Sequence, residues 1–285
     1  MTTILDRRIT PFRPDLAARH LAGQVEAPRF VDPQAMRVIV PSAPLRREPR
    51  LDAPLDTEAL AGELVEVYEQ EEGWAWVQLA GDGYVGYLPD DALRADQPAP
   101  THRVTALRTF VYPGPSIKLA PLAMLSLNAG VVVAAMNGDF AVLGDGGHIF
   151  AKHLTPQDRH EPDFVAVAER FLGVPYLWGG KTSLGLDCSG LTQLALAAAG
   201  VASPRDSDML EAALGRAVAF DEDLSGLQRG DLVFWKGHVG ILTDPDTLLH
   251  ANGYTMTVHR EPLKEARDRI RDKSFGAITS IKRLG

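Results

Sequence analysis

The chain has 285 residues, 45% of them hydrophobic, a formal charge of −8 and a pI near 5.5. That is enough for two or three compact domains of about 100 to 150 residues each, and it excludes global disorder. The acidic balance excludes a surface built to neutralise phosphates, so neither nucleic acid nor an anionic membrane is an expected partner.

Cys188 is the only cysteine, so no disulfide forms within the chain, which fits a reducing compartment. Up to Phe30 no apolar stretch of the ~7 to 15 residues of a secretory signal occurs, and no segment approaches the ~20 of a membrane helix. The expectation is a soluble cytoplasmic protein, unless the chain is an already processed form.

Residues 1–36 hold Pro11, Pro14, Pro28 and Pro33. They read as an arm or linker with one short helix at Asp15 to Leu21, Asp15 standing near its start. Residues 37–157 are rich in short β-like runs such as Glu63-Leu-Val-Glu-Val-Tyr68, Trp74-Ala-Trp-Val-Gln-Leu79 and Phe140-Ala-Val-Leu143. A weak internal repeat runs through them: strand, Gly-aromatic turn, strand, Gly-Asp-Gly turn, strand. It predicts two copies of one small barrel, 37–97 and 98–157, with the break near Asp96 to Pro100.

From residue 158 to 285 the pattern changes. Asp163 to Leu172 carries a helical apolar stripe closed by Gly173, and Leu191 to Ala199 a second one closed by Gly200. After Gly226 four strand-like runs follow closely: Asp231 to Trp235, His238 to Leu242, Leu248 to Ala251 and Thr257 to His259. Helices first and an antiparallel sheet after them is an α+β layout.

Cys188 stands at or just before the start of the helix from Leu191. Unpaired N–H groups and the positive end of the helix dipole lie there, a placement that lowers a thiol's pKa and favours the nucleophilic thiolate. The same N–H groups suit an oxyanion. Asp187 and Ser189 flank the thiol, and Gly179, Gly180, Gly185 and Gly190 let a ligand approach the backbone closely. These local features leave an inert buried cysteine open. His238 opens a strand and His250 ends the next one, so an antiparallel sheet can set both imidazoles beside one helix start, as nucleophile, base and orienting group require. The spacing of one Cys and scattered His fits no usual zinc pattern, and no metal or cofactor is expected.

Six motifs stand in order across about 80 residues: Tyr176-Leu-Trp-Gly-Gly180, Asp187-Cys-Ser-Gly190, Pro204-Arg-Asp-Ser207, Arg229-Gly-Asp231, His238-Val-Gly240 and His250-Ala-Asn252. Together they resemble the NlpC-type cell-wall cysteine peptidases. The resemblance implies a multidomain chain: two small SH3-like β-barrels, then an α+β papain-like (NlpC-type) peptidase domain. It implies Cys188 as nucleophile, His238 as general base and acid, and His250 as the orienting residue. Tyr176, Trp178, Asp187, Ser189 and Ser207 would line the substrate groove.

The branch with preceding SH3-like modules resembles the γ-D-glutamyl-L-diamino acid endopeptidases of murein recycling. Its implied substrates are murein-derived peptides, L-Ala-γ-D-Glu-diamino acid, the diamino acid usually being diaminopimelate. A free α-amine only donates hydrogen bonds, so it needs acceptors, and Asp187 with the hydroxyls of Ser189 and Ser207 is the expected set. Arg205 and Asp206 either pair with each other or touch substrate. Tyr84 of the first module is the expected groove-closing residue, with Glu58 or Glu63 as a further anchor; barrel core is the alternative for Tyr84. The competing reading is an endopeptidase or amidase on intact peptidoglycan, with the SH3-like modules as wall-binding domains.

Overall fold

The computed structural model describes residues 5–285. The chain divides between Gln157 and Asp158 into two compact units. Among the described residues no helix is long and apolar enough to cross a membrane.

The first unit begins with the arm. Leu16–Ala18 is a strand paired in parallel with Arg29–Val31, and Arg19–Leu21 is a single 3-10 turn. The expected helix at Asp15 to Leu21 is therefore absent. Seven residues are too few to hold a helix by local bonds, and here tertiary burial decides: Leu16, Ala18 and Leu21 sink against Tyr68 and Trp76 of the following module.

That module has seven strands: β1 (Gln34–Val38), β2 (Ser42–Arg46), β3 (Leu55–Leu60), β4 (Leu64–Glu71), β5 (Trp74–Leu79), β6 (Val85–Pro89) and β7 (Leu93–Ala95). They form one antiparallel sheet in the order β3-β2-β6-β5-β4-β1-β7, with β3 and β7 at its edges. Alternate residues such as Val65 and Val67 on β4, and Val77 and Leu79 on β5, turn into the core, as the two-residue period of a strand dictates. The β4–β5 turn places Glu72 and Gly73 at φ 50° and 82°. That pair of positive values is the hairpin geometry whose twist matches the strands.

Residues 102–156 repeat this pairing plan in pieces. The strands are β8 (His102–Val104), β9 (Arg108–Val111), β10 (Ala123–Ser126), β11 (Gly130–Val131), β12 (Val133–Asn137), β13 (Phe140–Leu143), β14 (His148–Phe150) and β15 (Leu154–Pro156). β8 pairs with β11 and β15, β9 with β10, and β13 with β12 and β14. A bridge between Tyr112 and His148 ties β9 to β14. Each pairing has its counterpart in the first module, but the sheet is broken into three. Tyr68 and Trp76 on the β4–β5 hairpin are covered by the arm, whereas Ala134 to Gly138 at the matching hairpin stand exposed.

The second unit carries α1 (Phe164–Glu169), α2 (Cys188–Ala198) and α3 (Ser207–Ala213), then β16 (Leu232–Trp235), β17 (His238–Asp244), β18 (Thr247–Asn252), β19 (Thr257–Pro262), α4 (Leu263–Lys273) and β20 (Ile278–Arg283). The sheet is wholly antiparallel, in the order β20-β16-β17-β18-β19, with the short strand Arg216–Ala217 beyond β20. α2 is buried along nearly its whole length and packs on β17 and β18. Trp235, Val233, Leu248, Ile270 and Ile281 form the core beneath α4. The order of layers is the α+β one read from the sequence, with α3, α4 and β20 added.

Candidate active site

Asp187 makes the start of α2. Its backbone is extended and its Oδ1 accepts from the N–H of Gly190 at 2.7 Å, capping the first turn. Cys188 is the first helical residue, 8% exposed. Gly180 and Gly190 have no room for a Cβ: at Gly190 it would strike the Gly180 carbonyl, and at Gly180 the Gly185 carbonyl. Close backbone packing thus holds the loop 179–187 against the helix start.

Two backbone N–H groups, of Val239 and of Ser189, reach the Cys188 sulfur. Val239 follows His238 on β17, so the thiol lies against the strand that carries the imidazole. Burial pushes the Cys188 thiol up to about 12, Asp187 adds to the rise, and the two N–H groups oppose it. The expectation that the helix start lowers this thiol is therefore overturned: desolvation of a buried thiolate outweighs the dipole. Burial likewise holds His238 well below its ordinary value, with His250 and Arg269 adding to the fall. Both shifts favour the neutral forms, thiol and imidazole.

His238 and His250 are 3% and 1% exposed and face each other on β17 and β18, Nε2 to Nδ1 at 2.7 Å. Phe275 stacks on the His238 ring with planes 2° apart, and Trp235 flanks it. The other nitrogen of His250, Nε2, lies 2.7 Å from Oε1 of Glu261 on β19. Glu261 is in turn paired with Arg269 of α4. Its carboxyl is held down at about 2; burial opposes this, and the bonds from His250 and Arg269 overcome it. Sequence reasoning missed Glu261 and Arg269. The signal was the period of the strand: Glu261 is two residues beyond His259, the residue that pairs across the sheet with His250.

Asp187 does not present a free carboxylate to substrate. Its oxygens accept from the N–H groups of Gly179 (2.9 Å) and Gly190, from Ser189 Oγ (3.3 Å), and from Arg205 (3.0 and 2.8 Å). Five donors converge on this carboxylate and tie the loop and Arg205 to the helix start; the expected ammonium contact would come in addition to them. Ser189 is drawn into the same knot, its Oγ accepting from Arg205 at 2.7 Å. Arg205 pairs with Asp187. Asp206 stands at the head of α3 without capping it, and Ser207 is the first residue of that helix.

Tyr176 is partly buried, and its hydroxyl is raised first by burial and then by nearby Cys188 and Asp187. It therefore lies within electrostatic reach of the thiol. Trp178 is 65% exposed, as are adjoining Leu177 (44%) and, six residues on, Leu184 (59%). Tyr84 is 5% exposed and belongs to the core of the first module. This burial matches the core alternative; Tyr84 stands just before β6, its carbonyl accepting from the Leu79 N–H. Glu58 lies half-buried on β3 and Glu63 in the turn before β4. Among the described residues no group of three or more His, Cys, Asp or Glu is placed to hold a metal ion.

Residues 173–271 match the NlpC/P60 family, and residues 45–93 match the bacterial dipeptidyl-peptidase SH3 domain. Dipeptidyl-peptidase 6 of Lysinibacillus sphaericus is 28% identical over 272 residues, covering 87% of this chain and 98% of that protein. A γ-D-glutamyl-L-lysine dipeptidyl-peptidase of Bacillus cereus is 29% identical over 242 residues, covering 73% of this chain and 71% of that protein. The crystal structure of an NlpC/P60 family protein from Bacillus cereus superposes with a TM-score of 0.73 at 22% identity, over 88% of this chain and 99% of that one. The last shows a shared fold.

Proposed function

We propose that this chain, a peptidase of the NlpC/P60 family, hydrolyses the bond between γ-D-Glu and the diamino acid in murein peptides whose L-Ala has a free amine. The observation that carries the reading is the buried Cys188 at the head of α2, against the strand of His238, with His250 behind. In this reading His238 takes the thiol proton as the sulfur attacks the γ-carbonyl of D-Glu. The N–H groups at the head of α2 receive the oxyanion. The imidazolium then returns its proton to the departing amine of the diamino acid, leaving a thioester that water hydrolyses with His238 again as base.

Support for the bond comes from the relatives. The match to dipeptidyl-peptidase 6 runs nearly end to end, and the Bacillus cereus relative is named for γ-D-glutamyl-L-lysine. Diaminopimelate is the diamino acid we assign, with lysine as the substrate to compare. Acceptors for the L-Ala ammonium are assigned to Asp187, Ser189 and Ser207, with Arg205 holding the first two in place. Tyr176 and Trp178 line the groove. The two β modules are read as SH3-like copies, the second because it repeats the pairing plan of the first. A cytoplasmic recycling enzyme is the setting this substrate suits.

The test is hydrolysis of L-Ala-γ-D-Glu-diaminopimelate, its lysine analogue, its N-acetylated form and purified sacculi, with Cys188→Ala as control. Rapid cleavage of the free tripeptide and little of the acetylated one is expected. Cleavage of sacculi but not of free tripeptide would sink this reading and favour action on intact murein.

A further inference from the structure

We propose that Glu261 is a positioning residue for the catalytic pair: from the far end of the row Glu261–His250–His238 it fixes the tautomers of both imidazoles, so that His238 turns an unprotonated nitrogen to Cys188. The inference rests on the reading of Cys188, His238 and His250 given above.

The argument is one of donors and acceptors. A carboxylate can only accept, so His250 Nε2, 2.7 Å from Glu261, must carry a proton. A neutral His250 then has a bare Nδ1, which must accept. Its partner at 2.7 Å is His238 Nε2, so that nitrogen carries the His238 proton. His238 Nδ1 is left bare, and a bare nitrogen is what a general base needs. Were Glu261 absent, both rings would be free to flip their protons, and half of the resulting arrangements would block the base. The carboxylate also favours positive charge on the row once the thiol proton has moved.

The charged and titratable groups around the row come from four elements. β17 gives His238, β18 gives His250, and β19 gives Glu261 and the exposed His259. α4 gives Arg269, which pairs with Glu261 and lies over the Tyr254 ring at 4.4 Å. Arg269 and Glu261 act on the row with opposite sign, and that opposition is the handle for a test. Removing an anion makes any neighbouring proton leave more easily, whichever of the coupled groups holds it; removing a cation does the reverse.

The experiment follows the rate of Cys188 alkylation by iodoacetamide against pH in the full chain, so that no substrate need be assumed. Glu261→Gln is expected to move the acid limb to lower pH and to lower the plateau by roughly tenfold, since orientation of the base is lost in part. Arg269→Gln is expected to move the same limb to higher pH. With the tripeptide as substrate, Glu261→Gln lowers kcat and leaves KM in place. Glu261→Asp, which keeps the anion, is expected to keep the acid limb and covers the case in which the glutamine variant fails to fold. Limbs that do not move, or that move the same way in both charge variants, overturn the inference. His238→Ala separates the two readings: if it leaves alkylation at neutral pH unchanged, the assignment of His238 as base falls, and not merely the role of Glu261.

Discussion

Arg205 is 1% exposed and finds a charge partner in Asp187, while Ser189 and the Gly180 carbonyl accept further N–H groups from it. Removing one member of such a buried pair strands the other charge without water, and costs about 3–5 kcal/mol. Asp187→Ala is therefore expected to lower the unfolding free energy from urea denaturation by that order and to loosen the head of α2. Asp187→Ala with Arg205→Met should lose less than the sum of the single changes, because no charge is left stranded. At Cys188 the consequence concerns reactivity. With burial raising the thiol to about 12, His238→Ala is expected to move alkylation of Cys188 to the alkaline side, since no base remains to take the proton. An unchanged alkylation profile in that variant would show that the helix start activates the thiol by itself.

The elements differ in how far local sequence decides them. α1 starts where Asp163 caps it, Oδ1 accepting from Val165 and Ala166 at 2.8 and 3.2 Å. Asp163 also meets Arg229, so the Arg229-Gly-Asp231 motif serves the scaffold: Arg229 ties β16's approach to α1, and buried Asp231 pairs with Arg283 of β20. Asp163→Ala is expected to cost about 1 kcal/mol from the lost cap, read as a shift in the denaturation midpoint without loss of the Cys188 site. The arm is decided elsewhere. Leu16 is fully buried against the aromatic hairpin of the first module, and Leu16→Ala should cost about 2–5 kcal/mol. A near-neutral result, measured by urea denaturation, would mean that the arm is not integral to that module's core. Asn252, within the His250-Ala-Asn252 motif, accepts from the backbone of Tyr254 and Thr255 and so shapes the turn into β19.

Across the whole molecule the buried imidazoles and the depressed carboxyl set the dependence of stability on acid. His238 and His250 have folded-state values below their ordinary one, because burial disfavours the charged ring. The unfolded chain thus binds more protons below pH ~6.5, and stability falls as pH drops through that point. Glu261, held at about 2 against an ordinary 4.5, contributes stability that is present above ~4.5 and is lost as pH falls from there toward 2. Both effects have the same sign. Urea midpoints are expected to fall from pH 7 to 5, and to fall again below pH 4.5. In Glu261→Gln the second fall should shrink while the first remains. A midpoint flat from pH 7 to 5 would contradict the buried neutral state of the two histidines.

At this same scale, the sequence by itself determined the order of parts and singled out the residues of the candidate site. Strand and helix periods are local, and so is the repeat; Cys188, His238 and His250 sit in motifs whose spacing survives without a fold. It also placed Cys188 at a helix start, because the apolar stripe from Leu191 begins just after it and Gly200 stops the helix. Only the tertiary structure decided what those groups experience. Burial, a property of everything packed around a residue, reversed the expected effect of the helix start on the thiol. Distant Arg205 ties Asp187 to the loop before the helix, and the apolar cluster holds Tyr84 inward. Glu261, from the next strand over, closed the row behind His250. Each of these contacts joins residues far apart in sequence or depends on which strand faces which, and no local pattern encodes that.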